Sequence, residues 1–147
     1  MTKLEGFLNL CVLWLTETVK RIEPGTDLPP LLVAVAERGT FCLEMPAKAE
    51  NIREWATDKL MDIGATHYAT FTAVWMEWVV EGPNGPATMP TSEGYIASVG
   101  DRNGSVVAMF SVQRDEAGKI IEITRKQVPP NSLIGGELAD LLTQYRN

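Results

Sequence analysis

The chain has 147 residues, 45% of them apolar and 22% charged, with a formal net charge of −6; this is the make-up of a globular chain long enough to bury a core without disulfides or metal. Its 13 basic residues are spread out with no dense run, which argues against an extended phosphate-binding surface and so against nucleic acid as a partner. We expect one domain over residues 1–147.

The apolar run "FLNLCVLWL" near the start is preceded by Glu5, broken by Asn9 and followed by "TETVKRIEPG". It lacks the small-residue cleavage site of a signal peptide and is far shorter than the ~20 residues of a membrane span. The expectation is a cytoplasmic protein that does not enter membranes. Residues 3–22 read instead as a helix, because Leu4, Leu8, Cys11, Leu15, Val19 and Ile22 recur at steps of three and four. Phe7, Leu10 and Trp14 widen that stripe until the middle turn is apolar nearly all round. Such a helix must be covered on more than one side, so these three residues are the candidate interface, with another protein or with a second copy. Cys11 and Cys42 sit in apolar segments and read as buried reduced thiols.

"PPLLVAVAERGTFCLEM" reads as a hairpin turning at Arg38-Gly39, which would set Ala36 against Phe41, Ala34 against Leu43 and Leu32 against Met45. Its reverse face would carry Val33, Val35, Cys42 and Glu44. "AKAENIREWATDKLMDIGA" is an amphipathic helix with Ile52, Trp55, Ala56, Leu60 and Ile63 inward and Gly64 as its stop. Residues 66–80 are rich in Thr, Tyr, Phe, Val and Trp, and read as one long strand that can bend. His67 and Glu77 would then stand about 33 Å apart at ~3.3 Å per residue, too far to share a proton or a metal. Residues 81–94, dense in glycine and proline, predict an irregular loop, either a lid or a connector.

Two more turn signals follow, at Asn103-Gly104 and at residues 115–118. Both select one apolar face made of Tyr95, Ala97, Val99, Val106, Ala108, Phe110, Val112, Ile121 and Ile123. The final residues, "PPNSLIGGELADLLTQYRN", predict a helix. The order is α-β-β-α-β-β-β-β-α, and the fold class is α+β with a mostly antiparallel sheet of five to six strands and helices packed on it.

Chemistry is sparse. One histidine and two separated cysteines give no zinc spacing, and there is no calcium loop. No phosphate-binding glycine loop or nucleophile elbow occurs either, so no cofactor, metal or catalytic residue is assigned. Glu77 between Trp75 and Trp78 is a candidate ligand site, since a carboxylate among large apolar groups has its pKa pushed up. Ser98, Ser111, Glu122 and Thr124 share the reverse face of the last sheet segment, with Ser111 expected opposite Glu122. Arg102, Arg125 and Lys126 are expected at one end of the sheet, where they would suit an anion. The functional expectation is a small binding or interaction protein without catalytic activity, able to pair with itself. The alternatives are a ligand binder or enzyme using a pocket near Glu77 under the 81–94 loop, and an accessory protein that inhibits or escorts another.

Overall fold

The computed structural model describes residues 3–23, 29–46, 51–76, 79–88, 92–126 and 141–142. The described elements are α1 (Lys3–Lys20), β1 (Leu31–Ala36), β2 (Gly39–Glu44), α2 (Ile52–Ile63), β3 (His67–Met76), β4 (Val79–Gly82), β5 (Gly85–Thr88), β6 (Ser92–Asp101), β7 (Gly104–Arg114) and β8 (Ile120–Lys126). Six strands form an antiparallel sheet in the order β2-β1-β3-β6-β7-β8, and β4 and β5 pair separately. This is an α+β fold with helices against an antiparallel sheet, as the pattern of the chain predicts. The expected C-terminal helix lies outside the described residues, apart from Leu141 and Leu142, which are buried.

The helices take opposite faces. Leu8, Cys11, Leu15 and Val19 of α1 form one core with Val33, Ala69, Phe71, Tyr95, Ala97, Val99, Ala108 and Phe110. Ala56 and Leu60 of α2 form the other with Leu32, Ala34, Met45 and Tyr68. Side chains alternate along a strand, so β1 and β3 face both cores; β1 is apolar on both sides, and β3 carries the buried Thr70 on the same face as Tyr68. The ends of α2 are set by the local sequence. The Asn51 side chain accepts a hydrogen bond from the Glu54 N–H at 3.0 Å, and Gly64 closes the last turn in the left-handed region.

Both expected hairpin registers are displaced. In the first, Ala36 pairs with Gly39, Ala34 with Phe41 and Leu32 with Leu43; the turn is Glu37-Arg38, one residue earlier than expected. In the second, Tyr95 pairs with Phe110, Ala97 with Ala108 and Val99 with Val106, so the turn is Arg102-Asn103. In each the glycine opens the returning strand, and Gly39 does so at a φ of 141° that other residues rarely adopt. Each partner moves by two positions, and a slip of two leaves every side chain on its original face. The core faces therefore survive.

Two expectations are overturned. The described part of residues 67–80 lies in β3, up to Met76, and in β4, and residues 79–82 turn at Pro83-Asn84 to pair with 85–88. The segment 81–94 thus contains strands, closed by Gly85 at a φ of 107°. Ile121 does not join the core but is 49% exposed, while Ile120 is buried. The cause is a bulge: Gln113 pairs with Glu122 but Arg114 with Ile120, so Ile121 is the extra residue and the alternation reverses past it.

Candidate functional site

The helix α1 packs over β6, β7 and β8, the half of the sheet remote from β2, and this leaves the corresponding face of β1 and β2 open beside it. Phe7, Leu10, Cys11 and Trp14 of α1 form one wall of the resulting groove, and Val33, Val35, Thr40 and Cys42 form its floor. Its volume is about 340 Å³, at the lower end of the range for ligand pockets. The floor includes β2, an edge strand of the sheet. Outward from the groove α1 exposes Leu10 (67%), Leu13 (64%) and Trp14 (41%). The candidate interface residues Phe7, Leu10 and Trp14 are thus brought together on the groove wall.

Both thiols meet this groove. Burial pushes Cys11 up to about 11. Cys42 is raised as well, by burial first and then by the Glu44 charge. Neither has the depressed pKa of a reactive thiolate. Cys42 is exposed rather than buried, because β2 has no strand on its far side.

The other candidates scatter. Trp75, next to Ser92 and Glu93 across the β3–β6 ladder, is 74% exposed; Glu77 and Trp78 lie outside the described residues. Ser98 is buried, and its carbonyl accepts from the Thr70 hydroxyl at 3.4 Å. Ser111 pairs with Thr124, not with Glu122, and donates to the Thr124 carbonyl at 3.5 Å. Glu122 faces Gln113 instead, a consequence of a β7–β8 connection one residue longer than expected and of the bulge beside it. Ser98 pairs with Val107, four residues from Ser111, or about 13 Å along the strand. The structure therefore joins Ser111 with Thr124 and leaves Ser98 apart.

The three cations are also separated. Arg125 donates to both carboxylate oxygens of Glu5 on α1, at 2.7 and 3.4 Å. Its guanidinium holds the Glu5 carboxyl below the usual range, against a smaller opposing effect of burial. Lys126 follows it on the strand and so points to the opposite face. Arg102 sits in the β6–β7 turn beside Leu60, Met61 and Leu142.

The residues that pattern reasoning missed are the groove floor and an ion pair. Val33, Val35 and Cys42 could be read as the reverse face of a hairpin, but nothing local says that Val33 is buried in the core of α1 while Cys42 is left exposed. Arg114 makes two 2.6 Å bonds to Glu93 and a third to the Gly118 carbonyl. This cluster ties β6 to the β7–β8 turn around a space of only about 20 Å³, room for a water and no more.

Among the described residues no His, Cys, Asp and Glu side chains gather in a group of three or more that could hold a metal ion. No described helix is long and apolar enough to cross a membrane. No family model, curated protein or solved structure matches the chain.

Proposed function

We propose that the protein is a binding module without catalytic activity, and that it uses the outward face of α1 and the adjoining groove to hold apolar side chains of a partner polypeptide. The observation that carries this reading is the continuity of Leu10, Leu13 and Trp14, all exposed, with the groove of about 340 Å³ beside them. Single exposed apolar residues need no explanation, whereas a connected apolar patch with a groove marks a binding surface. The groove presents one hydroxyl, on Thr40, and two thiols held in the neutral form. Recognition would rest on apolar contact and on the edge backbone of β2, as in strand addition or helix-in-groove binding.

The test is binding of the apolar dye 8-anilinonaphthalene-1-sulfonate to the folded protein and to Cys42→Asp, which places a charge on the groove floor at an exposed position. Enhanced dye emission with the wild type and its loss in the variant are expected. Equal emission from the two, at unchanged Tm, would set the reading aside.

A second reading places a small ligand near Glu77, and the 74% exposure of Trp75 favours it. It expects Glu77→Gln to abolish binding of a ligand found by screening while Tm holds or rises; undiminished binding would count against it.

A further inference from the structure

The outward face of α1 carries a pattern that the packing of its own chain does not use. At 3.6 residues per turn, Lys3, Gly6, Leu10, Leu13, Trp14 and Glu17 fall on one side of the helix, opposite the buried Leu8, Leu15 and Val19. Lys3 and Glu17 are exposed, and among the described residues they make no ion pair within the chain. Gly6 is the unexpected member. Glycine weakens a helix interior relative to alanine, and a Cβ there would meet nothing within 4 Å. Among the described residues nothing calls for it.

The stripe is complementary to itself. Laid antiparallel about a two-fold axis at Leu10, α1 sets Leu10 against the second copy's Leu10 and Phe7 against the second copy's Trp14, which lies on the same flank of the contact. Leu13 then lies over the second copy's Gly6, where the missing side chain lets the backbones approach. Lys3 meets the second copy's Glu17, and symmetry makes that pair twice. A neighbouring register lacks this fit: with the axis midway between Leu10 and Trp14, Lys3 meets the second copy's Arg21. Like charges in contact oppose association, and opposite charges set the register.

We propose that two copies of this chain pair antiparallel through the outward faces of α1, with Leu10 on the axis. The proposal rests on the reading of this face as the binding surface and names its partner. It is an isologous contact, the commonest kind in soluble oligomers.

The test uses the full chain carrying Cys42→Ser, so that no exposed native thiol competes, with a single cysteine introduced by Leu10→Cys or by Glu17→Cys. Under mild oxidation Leu10→Cys is expected to give a disulfide-linked dimer rapidly. Glu17→Cys is not, because its two copies would stand about 21 Å apart along the helices at 1.5 Å per residue, beyond the roughly 7 Å Cα separation a disulfide spans. In sedimentation equilibrium the unmodified protein should show a dimer whose Tm rises with concentration, and Leu10→Asp a monomer that still unfolds cooperatively at a Tm independent of concentration. Lys3→Glu should raise the dimer Kd about fivefold or more, and adding Glu17→Lys should restore it. A monomeric mass up to about 1 mM, equal cross-linking at both positions, or a dimer that survives Leu10→Asp overturns the proposal. A monomer that still binds the dye, and loses it with Cys42→Asp, overturns self-pairing while leaving the groove as a binding surface.

Discussion

Gly100 shows how much one residue can depend on its neighbour across the sheet. It pairs with Tyr68, and a Cβ there would stand 2.5 Å from the Tyr68 ring. That ring is fully buried, and its hydroxyl accepts the Leu141 N–H at 3.3 Å. Gly100→Ala is expected to destabilise the fold by about 1–3 kcal/mol, the usual cost of overpacking, as a lower urea midpoint at unchanged slope. The Glu5–Arg125 pair gives a second expectation. The folded pKa of Glu5 lies below its ordinary value of 4.5. Its contribution is therefore fully present above pH 4.5 and is lost as pH falls through the lower folded value. The pair is partly exposed and is worth at most about 1 kcal/mol. Thermal melts of wild type and Glu5→Gln should differ by a small margin at pH 7 and converge in acid. Both thiols are held above their ordinary value but only Cys42 is exposed, so a thiol reagent should modify Cys42 alone in the folded protein and both after unfolding. None of these residues announces itself locally, because each takes its role from a group distant in the chain.

Among the elements, the hairpins and α2 were legible because their signals are short-range. The alternation of apolar residues and the glycines after Glu37-Arg38 and Arg102-Asn103 assign the faces, even though the turn begins one residue earlier than expected. The β7–β8 pair was less legible, since the bulge at Gln113/Arg114 has no marker of its own in the sequence. It leads to a contrast between neighbours. Ile120→Ala should cost about 2–4 kcal/mol, as for a buried isoleucine truncated to alanine, whereas Ile121→Thr should cost no more than about 0.5 kcal/mol. Comparable losses for the two in urea titrations would mean that the alternation continues unbroken through β8.

At the scale of the whole molecule, one sheet separates two cores, and the small residues Ala69, Ala97 and Ala108 beneath α1 let that helix sit close to it. Leu8 belongs to one core and Leu60 to the other. Leu8→Ala and Leu60→Ala should each cost about 2–5 kcal/mol. With no shared partner, the double variant should lose their sum to within about 0.5 kcal/mol. A shared sheet also predicts one transition, with near- and far-ultraviolet circular dichroism changing together. The placement of α1 over β6, β7 and β8 is what leaves the groove open above β1 and β2. The candidate interface on Phe7, Leu10 and Trp14 was visible as excess apolar surface on a helix, but the floor opposite it was not.

Amino-acid order alone determined the fold class, the inward faces of both helices, the glycine stop of α2 and the faces of the strand residues away from the β7–β8 bulge, because propensity, capping and alternation act over a few neighbouring residues. Only the tertiary structure decided which sheet face each helix covers, how far α1 reaches across it, and that Ile120 rather than Ile121 is buried. It also decided that Arg125 meets Glu5 while Arg102 and Lys126 stand apart. These follow from the packing of segments far apart in the chain, where small differences in register and crossing position choose among arrangements that the local pattern allows equally.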